Sequence, residues 1–183
     1  MGLYEMGAPY PSLAIANKFI ELSLNTEGGI EHMKLQKLIY FSYGWWLSLK
    51  GLGGLRLINE APQIWKHGPV FNYLYHVLKV FGRQAICEVQ SKNPFEPPNA
   101  IDKDDHDVNR LIEWVWKRYG HLSGLALSEM THESGTAWHR CATESHFRVV
   151  PNTPIPDRYV FDEFLSLMRN SGLTDAAPQA ITV

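Results

Sequence analysis

Hydrophobic positions recur at helical spacing along most of the chain. Between residues 32 and 50 they fall three and four residues apart and form a wide, aromatic-rich face, which is typical of a central helix. Shorter runs with this period predict further helices over residues 12–25, 69–82, 104–119, 124–132, 134–143 and 157–170. Only 63–66 and 84–89 favour extended structure, and the two can pair. The pattern predicts a mainly α protein, a compact single-domain bundle of about six or seven helices with at most a small two-stranded β element.

Capping and breaking residues suggest where the elements begin. Ser12 is a suitable N-cap for the first helix, and Pro69 suits the first position of a helix, where its missing N–H costs nothing. We expect residues 1–11 to be a loose lead-in, 12–170 to be the helical domain and 171–183 to be a disordered tail.

Composition favours a folded protein over a disordered one. The chain is 45% hydrophobic and 12% aromatic, with a net charge of −2. No basic stripe is present, so we expect no nucleic-acid partner. Residues 31–83 nevertheless contain seven basic side chains against two acidic ones. Such an imbalance is either ordinary solvated charge or a face suited to an acidic partner.

The apolar segments are too short to cross a membrane. The longest covers 12 residues and includes serines and tyrosines, and the first 12 residues lack a basic segment followed by an apolar run. We therefore expect a cytoplasmic protein with no membrane partner. Two isolated cysteines in such a chain favour reduced thiols over a disulfide.

The tryptophans are numerous, and one helical face cannot bury them all. Trp45 and Trp46 are adjacent, so they point about 100° apart, and Trp114 and Trp116 point about 200° apart. The side chains left over either fill a second buried face or anchor a protein interface. Both explanations remain open at this point.

The sequence contains no standard catalytic motif. The chain has no P-loop, no HExxH and no Gly-rich dinucleotide fingerprint. His132, His139 and Cys141 form H-x6-H-x-C, a spacing that matches no standard zinc site, and neither Cys87 nor Cys141 has a local nucleophile signature. A small metal- or cysteine-dependent hydrolase therefore remains only an alternative. We predict no catalytic residue, no metal and no cofactor.

Three segments together resemble the Panacea antitoxin domain family. They read, in chain order, MKLQKLIYFSYGWWLSLKG, NEAPQIWKHGPVFNYLYHVLKVFG and LALSEMTHESGTAW. The resemblance covers about residues 13–138. The family includes phage- and mobile-element-associated proteins of the GepA type and the SocA proteolytic adaptor. One departure is Pro62, which precedes Trp65 where the family often has Ile/Val-x-Ala-Trp.

The resemblance implies a helical domain that acts by binding and not as an enzyme. It implies an antitoxin that neutralises a cognate protein toxin, encoded nearby on a phage or mobile element, by direct protein–protein contact. The alternative that it implies is a proteolytic adaptor that delivers a toxin to a AAA+ protease.

Eight residues combine motif membership with a polarity that a core does not require. We expect them to contact the partner, and we expect the first three to lie off the buried stripe of their helix; they are Lys34, Lys37, Tyr40, Trp65, Lys66, His67, Thr131 and His132. Gly68, Pro69 and Trp138 are assigned structural roles.

Overall fold

The structure is a computed structural model that describes residues 7–148, 150 and 152–171. Its helices are α1 (Ser12–Leu24), α2 (His32–Lys50), α3 (Asn72–Leu78), α4 (His106–Tyr119), α5 (Gly124–His132), α6 (Ala137–Glu144) and α7 (Asp157–Asn170), with a 3-10 helix at Lys79–Phe81. The strands are β1 (Ile30–Glu31), β2 (Gln63–Trp65), β3 (Gly68–Val70), β4 (Ala85–Ile86) and β5 (Thr153–Pro154). The predicted mainly α class is confirmed. Within the described ranges, no helix has both the length and the hydropathy needed to span a bilayer.

Helix α2 is the centre of the molecule. It packs against α1, α4, α5, α7 and β3, and every residue from 34 to 47 is buried. Trp45 and Trp46 are therefore both buried although they point in different directions. Of the two explanations left open by the sequence, burial against a second face of α2 is therefore the correct one for this pair.

The crossing of α2 and α7 is close. Gly44 faces the ring of Phe164, and a Cβ atom at Gly44 would overlap that ring. Beside this contact, the buried carboxylate of Glu163 accepts hydrogen bonds from Tyr40 Oη at 2.7 Å and from the Ala137 backbone N–H at 2.8 Å. Burial raises the pKa of Glu163 to about 7. This single side chain thus connects α2, the start of α6 and α7.

Two small antiparallel sheets replace the single hairpin-like patch that the sequence predicts. In one sheet β1 pairs with β4, and in the other β2 lies between β3 and β5. The predicted pairing of 84–89 with 63–66 is therefore wrong. The prediction that Pro69 begins a helix is also wrong, because Pro69 lies in β3 opposite Ile64 and α3 begins at Asn72.

Within the predicted lead-in, Tyr10 makes specific contacts with the body of the protein. Tyr10 is buried, its N–H donates to the Leu57 carbonyl at 2.8 Å, and its own carbonyl accepts from Asn59 at 3.0 Å. Ser12 does not cap α1 as predicted, since Pro11 occupies the N-cap position and the Ser12 hydroxyl donates to Glu60. The predicted disordered tail lies outside the described residues, apart from Ser171.

A long surface loop is closed by one buried side chain. Asn17 on α1 donates from Nδ2 to the carbonyls of Gln90 and Asn99, both at 2.8 Å, and its Oδ1 accepts from the Gln90 N–H at 2.8 Å. Between these two anchor points the loop extends into solvent, and Phe95 at its tip is 96% exposed. The base of the loop is therefore held by hydrogen bonds, and its tip is exposed to solvent.

Candidate functional site

A cavity of about 430 Å³ opens beside the first turns of α2, and its size suits a ligand or an anchoring side chain. The β2–β3 hairpin, α3 and the turn after the 3-10 helix complete its walls, which are mostly apolar. The lining residues are His32, Met33, Gln36, Lys37, Trp65, Lys66, His67, Val70, Tyr75 and Gly82.

Lys37 lines the deepest-buried part of the cavity wall. Its side chain is 1% exposed, and Nζ donates to the carbonyl oxygen of Pro69 at 2.9 Å. None of the described carboxylates forms an ion pair with it. Because burial penalises the ammonium, the pKa of Lys37 falls from 10.5 to about 7.

Two further side chains of α2, those of His32 and Gln36, form a second part of the cavity wall. Gln36 accepts from the Phe71 N–H at 2.9 Å and donates to the Phe71 carbonyl at 3.3 Å, which fixes the start of α3 against α2. The ring of His32 lies 5.4 Å from that of Tyr75, measured between centroids. Burial and the charge of Lys37 lower the pKa of His32 to about 4, so this wall is uncharged near neutral pH.

The hairpin above the cavity is held from behind by α5 and α6. The carbonyl of Trp65 accepts from Trp138 Nε1 at 2.7 Å, and the carbonyl of His67 accepts from the Ser128 hydroxyl at 2.9 Å. Between them, the Lys66 carbonyl oxygen lies 3.2 Å from His132 Nε2. Two of these three consecutive carbonyls thus accept hydrogen bonds from side chains, so the turn is fixed while the side chains of Lys66 and His67 stay exposed.

Four of the eight predicted contact residues meet at this cavity. They are Lys37, Trp65, Lys66 and His67. His132 lies directly behind the hairpin, with its ring 3.9 Å from that of Trp138. Sequence reasoning did not select His32, Gln36 or Tyr75, whose roles depend on packing between α2 and α3.

The remaining three predicted residues are buried and are not among the residues that line the cavity. Lys34 forms an ion pair with Glu27 at 2.7 Å and lies over the ring of Trp116, while Tyr40 and Thr131 are fully buried. The expectation that Lys34, Lys37 and Tyr40 lie off the buried stripe is wrong, because α2 is packed on all sides. Contact of any of the eight with a partner stays a prediction.

The candidate metal ligands do not converge. His132 packs on Trp138, whereas the ring of His139 faces Phe147, and within the described ranges no three His, Cys, Asp or Glu side chains form a metal-binding group. Both cysteines are free thiols. Burial raises the pKa of Cys141, which is opposite to the shift of an activated nucleophile.

Gly68 fits closely beneath the hairpin, and we expect Gly68→Ala to destabilise the protein by about 2–4 kcal/mol. Its φ is +96°, and an added Cβ would lie 2.5 Å from Thr131 Oγ1 and 2.9 Å from Lys37 Nζ. Gly135 is the matched control, since its φ is +93° and nothing lies within 4 Å of its Cβ position. Chemical denaturation should show a loss of only about 1 kcal/mol for Gly135→Ala. Equal losses for the two variants would contradict the close approach.

Comparison with known proteins places these observations in a family. Residues 35–139, more than half of the chain, match the family described as antitoxin SocA-like, Panacea domain. The chain is also 27% identical over 179 residues to antitoxin SocA of Caulobacter vibrioides (strain NA1000 / CB15N), covering 91% of each protein. No solved structure gives a significant match. The matched range contains most of α2, the β2–β3 hairpin and the α5 and α6 side chains that hold it. The chain therefore belongs to the SocA-like Panacea antitoxin domain family.

Proposed function

We propose that this protein is an antitoxin that binds its cognate protein toxin directly, at the cavity beneath the β2–β3 hairpin. The toxin gene lies nearby on a phage or mobile element. Family membership and the relative named antitoxin SocA support the antitoxin role. The observation that carries the location is the open, mostly apolar cavity with exposed basic side chains on a fixed turn.

The hairpin suits binding because its backbone and the Trp65 ring are already held in place before a partner binds. The carbonyls of Trp65 and His67 already accept hydrogen bonds from α6 and α5, and the Trp65 ring already packs on Tyr75 with centroids 4.6 Å apart. Such preorganisation lowers the entropic cost of association. Half-buried aromatic side chains beside a basic residue are also the side chains that dominate interface energies.

We expect co-expression of this protein to restore growth to cells that produce the neighbouring toxin. The purified pair should form a complex without any protease, because neutralisation by contact needs no third protein. Lys66→Glu, which reverses an exposed charge at the cavity rim, should weaken that complex at least about tenfold in calorimetry. Lys117→Glu is the matched control on α4, where the exposed Lys117 does not line the cavity, and it should change the affinity less than about twofold.

The adaptor mechanism makes a different prediction for the same strains. Growth would then return only in cells that contain the relevant AAA+ protease, and the toxin level would fall while this protein is present. Rescue that depends on a protease would overturn direct neutralisation. Continued growth arrest in the presence of the folded protein would overturn the antitoxin role itself.

A further inference from the structure

No carboxylate in the described part of the chain forms an ion pair with the buried ammonium of Lys37. A lysine has three N–H donors, and Nζ makes one hydrogen bond, to Pro69 O. None of the described acidic residues lines the cavity, whereas Lys66 and His67 do, and His32 is uncharged near neutral pH. The electrostatic character of the cavity therefore favours an anionic occupant.

The walls restrict which anion fits. Apolar surface next to the buried Lys37 ammonium comes from Met33, Val70, Trp65 and Tyr75. A phosphate group is strongly hydrated and is usually met by several donors together or by a planar arginine, whereas Lys37 is the one buried lysine among the described lining residues and Lys66 lies at the exposed rim. One carboxylate attached to an apolar group matches both the cation and the walls.

The position of the cavity indicates where such a carboxylate comes from. Its rim is the exposed turn of the hairpin, where the side chains of Lys66 and His67 surround the opening on the protein surface. A protein that docks on this basic turn brings its own acidic surface to the opening. A side chain that projects from that surface then reaches the cavity without any rearrangement of the hairpin.

We propose that the cavity receives an acidic side chain of the toxin next to an apolar one, and that the carboxylate accepts a hydrogen bond from Lys37 Nζ. This inference rests on the proposed antitoxin function and names the chemistry that the toxin must present. The apolar neighbour packs against the surface that Trp65 and Tyr75 present to the cavity. The carboxylate supplies the counter-charge that none of the described residues gives Lys37 in the free protein.

The first test compares two lysine-to-methionine variants on the same helix. Lys37→Met removes the cavity ammonium and keeps an unbranched side chain, whereas Lys34→Met removes a buried ammonium that does not line the cavity. For the product of the neighbouring toxin gene, we expect Lys37→Met to weaken binding about 30-fold. Lys34→Met should change it less than about threefold. Circular dichroism confirms that each variant is folded.

A second test examines the cavity without the toxin. We expect 3-phenylpropionate to shift the NMR resonances of His32, Trp65 and Tyr75 in the wild-type protein. The uncharged analogue 3-phenylpropanamide should bind at least about tenfold more weakly, and Lys37→Met should abolish this preference. Equal binding of the acid and the amide would overturn the proposed carboxylate specificity.

The outcomes separate this inference from the function on which it rests. If the wild-type protein does not bind the toxin, the proposed function fails, and the toxin is not the source of the carboxylate. If the wild type and Lys37→Met bind the toxin equally, the antitoxin role stands and this inference is overturned. If 3-phenylpropionate binds through Lys37 while Lys37→Met leaves toxin binding unchanged, the cavity is a site for small carboxylates, and the toxin as occupant is overturned.

Discussion

Replacing Gly44 with alanine is expected to destabilise the protein by about 2–4 kcal/mol. Alanine would raise the helix propensity of α2 by about 1 kcal/mol at an exposed position. Here the new methyl group would overlap the ring of Phe164, and both helices are part of the core. Since α2 makes its most extensive contact with α7, relief of this overlap must separate the two helices. The free energy of unfolding from urea titration measures the loss.

A matched glycine separates this overlap from the general effect of the substitution. Gly53 is exposed, and nothing lies within 4 Å of its Cβ position. Gly53→Ala should therefore change the stability by less than about 0.5 kcal/mol. Adding Phe164→Leu to Gly44→Ala should recover part of the loss, because the smaller side chain leaves room for the methyl group. A Gly44→Ala protein as stable as the wild type would show that the α2–α7 crossing is looser than described.

Replacing Lys37 with methionine is expected to stabilise the free protein by about 2 kcal/mol at pH 6. Lowering the pKa of a lysine from 10.5 to about 7 corresponds to about 4–5 kcal/mol of unfavourable burial of the charged form. The variant removes this cost. It also leaves the Pro69 carbonyl without its hydrogen bond, which destabilises the variant by about 1–3 kcal/mol. The measurement is the difference in unfolding free energy between the variant and the wild type.

The pH dependence of this difference tests its cause. Because the folded pKa of Lys37 is the lower one, the unfolded wild-type chain binds more protons between pH 7 and 10.5, and its stability rises with pH over this range. The advantage of Lys37→Met should therefore be full below pH 7, disappear at about pH 8.5 and reverse towards pH 10, where the wild type keeps its hydrogen bond to Pro69 without the cost of a buried charge. His32 titrates near pH 4 and lies outside this window. An advantage that is constant from pH 6 to pH 10 would contradict a buried, uncompensated ammonium.

Lys37→Met is expected to affect the stability of the free protein and its affinity for the toxin in opposite directions. The same substitution should stabilise the free protein and weaken its complex with the toxin. A residue that reduces stability and is retained for binding is a common compromise at functional sites. The Lys37 ammonium destabilises the free protein, and it would stabilise the complex because a toxin carboxylate supplies its counter-charge.

The sequence predicts the long elements well where the pattern and the stop signals agree. The bounds of α2 and α7 follow from sustained helical periodicity, with Gly51 as the stop for the first. The start of α3 does not follow in this way. Pro69 favours a helix start locally, but its residue pairs with Ile64 and its carbonyl accepts from Lys37, which lies 32 positions away in the sequence. Tertiary contacts outweigh the local preference there.

The candidate site is predicted only in part, for a similar reason. Trp65, Lys66 and His67 were selected because helical packing did not explain them, and all three line the cavity. Lys37 was selected as a surface residue, whereas it is buried because α2 has neighbours on every side. No local pattern reveals that Gln36 fixes Phe71, since the two residues are 35 positions apart.

The surface loop closed by Asn17 has a practical consequence for the binding experiments. Both ends of residues 91–98 are fixed by a single buried amide, while Phe95 at the tip faces solvent. Lengthening a loop whose ends are already held costs little conformational entropy. The tip is also absent from the walls of the cavity. An affinity tag or fluorophore carrier inserted after Phe95 would thus report on complex formation from a segment that does not line the cavity.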